Sequence, residues 1–371
     1  MIEVIVDLLE TYGQGGNGGH RHKLYYNNAF LIADPREAWV LETVGQHWAA
    51  ERVKSGVRAI SNGLSIGRQW DKASDELVNY AVKRQWCQGE DDFDFSRCYT
   101  NQLITSLISA EQRRNRSTET LSRQAGKITV QTMMAVLRDH GPAAEGNLSW
   151  RPDGLLDLTL CSHASFGPIR SAGQAVGSMV SELNPERPVH WLTGTSAPCT
   201  GIFKPFFVDV PLDLLGPTPT DHYDSEIRWW RHEKLHRAVL KDYANRLPLY
   251  QRQRDRLEAQ FLAQAAEALT AAVGLSPEAQ TAKLRQLCHQ TLLEADRATE
   301  QWYYRVSSNP IRQRPSWAYR RFWDALNRYA GMSPEVFHAD ERQTKAENLL
   351  IAASVILLVF NIGLWLRRKF G

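Results

Sequence analysis

The chain has 371 residues, and its 44 basic and 41 acidic side chains leave a net charge of only +3. So small an excess, gathered in no tail or cluster, offers no electrostatic footprint for nucleic acid. With 12 Trp, 12 Tyr and 12 Phe the chain is no disordered sequence and can fill a substantial core, in one large or two modest domains.

Met1 to Glu10 carries acidic residues and no signal-peptide pattern, and reads as an amphipathic helix already under way. Such an opening leads us to expect further sequence upstream. A glycine-rich turn, Gly13 to Gly19, leads into two β-like runs, Asn28–Asp34 and Glu37–Thr43. The Asp34-Pro35 pair between them marks a hairpin. Trp48–Val53 and Val57–Ser61 could continue the sheet, and Asp71–Arg84 and Thr129–His140 have apolar residues at helical spacing. Leu156–Cys161 and Val189–Thr193 read as short strands around a further helix, Ser171–Leu183. After a Pro/Thr/Asp-rich joint at Gly216–Asp221 the chain turns helical and charged to about Ala330. One apolar stripe there is Leu257, Phe261, Leu262, Ala265 and Leu269.

The last element is Leu349–Leu366, eighteen residues without a charge, closed by Arg367, Arg368 and Lys369. At ~1.5 Å per residue it reaches ~27 Å, enough for a bilayer core. It is therefore expected to make the chain a single-pass membrane protein through a C-terminal anchor; the side on which the bulk lies stays open.

Three motifs bear on chemistry. Gly13, Gly15 and Gly18 satisfy G-x-G-x-x-G, but a helix precedes and a strand follows, the reverse of the dinucleotide-binding order. The five cysteines, Cys87, Cys98, Cys161, Cys199 and Cys288, are scattered, odd in number and without C-x-x-C spacing, which favours packed thiols over a zinc cluster or disulfide framework. Cys161-Ser-His163 would put a thiol and an imidazole on one face of a strand, a pairing too short to be specific. His232-Glu233-Lys-Leu-His236 fits H-E-x-x-H, yet it sits among charges on a helix expected to be exposed, with no evident third ligand.

Several strings in order resemble one family. They are Leu8–Gly16, Glu37–Thr43, Trp48–Val53, Ile60–Ile66, Ile128–Met134, Gly177–Leu183, Trp191–Thr195, Ile202–Phe206 and Trp230–Arg237. Together, from Met1 to about Val273, they resemble the secernin and dipeptidase branch of the N-terminal-nucleophile hydrolases, peptidase family C69. The resemblance implies an α+β fold: a partial αββα sandwich over residues 1–215, a helical region over 216–345, then the single transmembrane helix and basic tail of 346–371. It implies hydrolysis of short peptides or related amides, with no cofactor and no metal, and it makes the H-E-x-x-H string part of a helical region. The family's nucleophile is an N-terminal cysteine whose free α-amine, of pKa near about 8, takes the thiol proton. By this resemblance Met1 falls beyond that nucleophile, and Cys87 is the first cysteine, so the chain as it stands is expected to be inactive. A non-catalytic, membrane-held scaffold of the secernin type is the alternative. By the same resemblance Asn62 falls where related acylases bind the oxyanion. Arg113, Arg114 and Arg116 fall where an arginine lines the site, and Arg114 is the one taken as catalytic.

Overall fold

A computed structural model of the chain describes residues 1–14, 17–20, 23, 25–101, 105, 109–154, 159–164 and 173–332. Among these, two antiparallel sheets and ten α-helices make a mixed α+β protein. The chain divides into two compact units, Met1–Pro315 and Ser316 onward. The second unit contains the helix Trp317–Tyr329; everything below concerns the first.

Helix α1 (Ile2–Tyr12) buries Ile2, Val6 and Leu9, one stripe at helical spacing. It stops at Gly13, whose φ of 71° a side chain would resist and whose N–H caps Leu9 O at 2.7 Å. Strands β1 (Ala29–Ala33), β2 (Ala38–Val44), β3 (His47–Val53) and β4 (Lys72–Ala73) follow one another across the first sheet. The β1–β2 hairpin is set by Asp34, whose Oδ1 accepts from the N–H groups of Arg36 (2.7 Å) and Glu37 (2.9 Å). Alternation then gives the sheet two covered faces. Leu41, Trp48 and Ala50 pack with the α1 stripe. Val40 and Ala49 pack with residues of α2 (Leu77–Lys83) and α3 (Phe95–Tyr99), including Leu77, Ala81 and Phe95.

Helices α4 (Ala110–Ser122) and α5 (Val130–Leu137) lead to the second sheet, β5 (Met179–Glu182), β6 (Val189–Leu192) and β7 (Lys204–Phe206), in that order. Thr129 caps α5, its Oγ1 accepting from Thr132 N–H at 3.2 Å. Four helices complete the unit: α6 (Arg228–Leu240), α7 (Tyr243–Arg246), α8 (Pro248–Ala272) and α9 (Pro277–Ser307). The Gly216–Asp221 joint lies inside this same unit.

Four expectations are corrected. The helix expected at Ser171–Leu183 is instead strand β5 over its described end, because Gly173 and Gly177 weaken a helix there. Past them Val180 is buried and Met179 exposed, a period of two. In Asp71–Arg84 the helix is confined to α2, since Lys72 and Ala73 pair with Ala50 and Ala49. Val57–Ser61 forms no strand; Ser61 makes only an isolated bridge with Gly63. Finally, the assignment to a membrane is withdrawn: no helix among the described residues is long and apolar enough to cross one. Leu349–Leu366, on which it rested, lies outside the described residues, as does 156–158 of the strand expected at Leu156–Cys161.

Candidate functional site

The segments carrying Asn62 and the arginines meet. Arg113 Nη2 donates to Asn62 Oδ1 at 2.7 Å, and Arg114 Nη1 donates to Leu64 O at 3.1 Å. A guanidinium only donates, so the atom facing it is the amide oxygen, and Asn62 is turned with Nδ2, its donor end, elsewhere. The turn beneath is fixed by Glu42 of β2, which is fully buried. Glu42 Oε2 accepts from Ser65 N–H (2.7 Å) and Ile66 N–H (2.9 Å), while Oε1 accepts from the Ser65 hydroxyl. Gly63 packs closely here: a Cβ there would sit 3.3 Å from Thr105 Cγ2 and 3.4 Å from Ala110 Cβ, so a side chain would make these neighbours give by a few tenths of an ångström. Arg114 therefore holds backbone at this corner. Arg116 goes elsewhere, forked onto Asp139 at 2.7 to 3.2 Å.

A second constellation is buried. Asp139 O accepts from Cys161 N–H (3.0 Å), which brings His140, just past α5, beside the 159–164 segment. That segment pairs with 173–175 through Ala175 N–H to Ser162 O (3.0 Å), and Ala175 O accepts from Ala197 N–H of the turn holding Cys199. These bonds bring together His140, Cys161, His163 and Cys199, whose ligand-type atoms all lie within 4.8 Å of one another. His163 Nε2 is 3.0 Å from His140 Nε2, 3.3 Å from Cys199 Sγ and 3.7 Å from Cys161 Sγ. Trp150 and Tyr243 wall the group, with ring centroids 4.3 and 5.8 Å from His140. Among the described residues, these four form the group able to hold a metal.

Behind His163 stands the H-E-x-x-H string, and its expected exposure is corrected: His232 is 3% exposed, and Glu233 and His236 are 0% exposed. The two imidazoles do not converge. His232 Nε2 faces Ser196 O (3.1 Å) and Thr200 Oγ1 (3.2 Å). His236 Nε2 faces His163 Nδ1 (3.0 Å), and its Nδ1 faces Glu233 Oε2 (3.1 Å). Burial pushes the imidazole of His163 down to about 4 and that of His232 to about 3, so both rings are neutral near pH 7. Burial opposes the charge of Glu233, but His236 and Arg237 beside it outweigh that and hold its carboxyl well below the usual range. A cleft of about 470 Å³ is lined by His232, Thr195, Lys204, Arg228 and Arg231 among others, and by none of the four clustered residues.

No family model matches the chain. Of the residues singled out from sequence, Asn62, Arg113 and Arg114 lie at one corner and Arg116 does not; His140 was not singled out, and Cys199 was read only as a packed thiol. The local signal available was Cys161-Ser-His163, read beside a histidine-bearing helix.

Proposed function

We propose that this chain is a secernin-type hydrolase of short peptides or related amides, built on the αββα sandwich of the N-terminal-nucleophile hydrolases. The ordered strings from Met1 to about Val273 and the presence of two antiparallel sheets among helices support this reading. The observation that carries it is the Asn62–Arg113 hydrogen bond of 2.7 Å. By occupying the amide oxygen, Arg113 leaves Nδ2–H to point at a substrate carbonyl, where it would stabilise the charge that develops on attack. The attacking thiolate needs a cysteine with its own free α-amine. The five cysteines of this sequence are internal and buried, so in this reading the residues described above supply the oxyanion corner.

The test is dipeptide hydrolysis by the protein isolated from its own cells, with its N-terminal residue determined. Asn62→Ala should lower kcat by about 10²–10³ with KM little changed, the loss associated with one oxyanion donor. Arg113→Ala should share much of that loss. Equal turnover in wild type and Asn62→Ala would remove Asn62 from the chemistry. Hydrolysis absent from the native protein would leave a non-catalytic interaction protein in its place.

A further inference from the structure

We propose that His140, Cys161, His163 and Cys199 bind one zinc ion as a closed, four-coordinate structural centre. The resemblance implies no metal, and the inference does not rest on the hydrolase reading. It starts from distances. With Zn–N of about 2.0–2.1 Å and Zn–S of about 2.3 Å, tetrahedral geometry sets neighbouring ligand atoms about 3.3–3.8 Å apart. The separations from His163 Nε2, at 3.0, 3.3 and 3.7 Å, come within a few tenths of an ångström of that figure. Two thiols and two imidazoles are the donor set of structural zinc sites, and soft sulfur with tetrahedral nitrogen selects zinc over magnesium or calcium.

The surroundings are those of a ligand sphere. A carboxylate only accepts, so the contact with Glu233 puts a proton on His236 Nδ1. With that proton on Nδ1, Nε2 is the His236 nitrogen that faces His163, and His163 Nδ1–H is the donor between them. That tautomer turns the Nε2 lone pair of His163 toward His140 and both sulfurs. A histidine ligand held through its other nitrogen by a chain ending in a carboxylate is the arrangement that fixes ring orientation and raises basicity in metal sites. Glu233 is itself held by Arg237 Nε at 2.7 Å and Gln174 Nε2 at 3.1 Å. The Tyr243 hydroxyl donates to Cys199 Sγ at 3.3 Å, the bond a thiolate accepts readily. With four protein donors, three of them buried, and no share in the cleft beside His232, the centre keeps no position open for a substrate. Its work is to tie the end of α5, the 159–164 segment and the 197–200 turn together in front of α6.

Zinc content of the full chain, expressed in metal-defined medium and measured by elemental analysis, tests this. About one zinc per chain is expected for wild type, and less than about a tenth of that for Cys161→Ser and Cys199→Ser. His232→Ala should keep its zinc, which separates this centre from an H-E-x-x-H site. Cobalt exchanged into wild type should give the visible bands of a tetrahedral site and a near-ultraviolet thiolate charge-transfer band. That spectrum decides the matter even if the serine variants do not fold. Zinc-free wild type that takes up no cobalt, a Cys161–Cys199 disulfide found by mass, or full zinc in a folded Cys199→Ser variant would each overturn the proposal. Hydrolysis enters none of these readings, so failure of the hydrolase proposal leaves the metal count as it stands.

Discussion

Glu42 stabilises the first sheet through donors that belong to a single turn. Its buried carboxylate holds Ser65 N–H, Ile66 N–H and the Ser65 hydroxyl, and so fastens the Asn62 turn to β2. Replacing one carboxylate oxygen by an NH₂ group sets donor against donor, so Glu42→Gln should lower unfolding free energy by about 1–3 kcal/mol. Urea denaturation at pH 7 measures it; a change below a few tenths would mean that the turn is held by other contacts. His232 makes a pH-dependent case. Its folded pKa is depressed, to about 3 from 6.5, by burial first and His236 second. The unfolded chain therefore binds a proton below about pH 6.5 that the native state refuses, and stability falls as the pH drops from there toward 3. At ~1.4 kcal/mol per unit the loss from this residue reaches about 3 kcal/mol by about pH 4. His232→Gln should flatten the acid limb of a urea-midpoint titration by that amount, and an unaltered limb would contradict the assignment.

At the scale of elements, legibility followed whether burial shows in a local window. The β1–β2 hairpin and α1 were plain because their apolar residues repeat at the period of the element and turn residues close them. Helix α6 misled because Arg228, Arg231, Glu233, Lys234 and Arg237 look like a solvated face. Two of its charges are paired instead: Arg237 with Glu233 one turn earlier in the same buried helix at 2.7 Å, and Arg228 with Asp296 of α9 at 2.8 Å. The His/Cys cluster was only half legible for a related reason: Cys161 and His163 stand two residues apart, but His140 and Cys199 come from other segments joined to theirs by backbone hydrogen bonds that no spacing encodes. Capping is a local signal that can be tested. Ser276 accepts from Ala279 N–H at 3.3 Å, with Pro277 at the first position of the 31-residue α9. Ser276→Ala should cost about 1 kcal/mol, and Ser276→Gly only a few tenths, because glycine lets water reach the orphan N–H groups. Equal losses in thermal unfolding would show that the side chain acts other than as a cap.

Across the first unit, residues 193–204 are the hub. They are almost wholly buried yet mostly without regular structure, so their carbonyls need side-chain donors. Lys204 Nζ serves Thr193 O (2.7 Å) and Ile202 O (2.9 Å), His232 serves Ser196 O, Arg254 serves Cys199 O, and Tyr250 serves Thr200 O (3.1 Å). Arg138 serves Pro198 O at 2.9 Å and Gly201 O at 3.3 Å while forking onto Glu258 at 2.8 and 2.7 Å. Glu258 in turn accepts from Phe203 N–H at 2.9 Å. One ion pair thus joins α8, the residue just past α5 and the turn that carries Cys199. Arg138→Met should cost about 3–5 kcal/mol, because it strands a buried carboxylate. Arg138→Lys should recover little, since an ammonium cannot fork to both oxygens and still reach Pro198 O. In Arg138→Met/Glu258→Leu the stranded charge is gone but the two carbonyls and Phe203 N–H remain unmet. The double variant should therefore be less destabilised than the sum of the singles by about 1–3 kcal/mol, yet well below wild type. A strictly additive cycle in urea would mean that the pair does not act as a unit, and that the buried turn is held by its remaining donors alone.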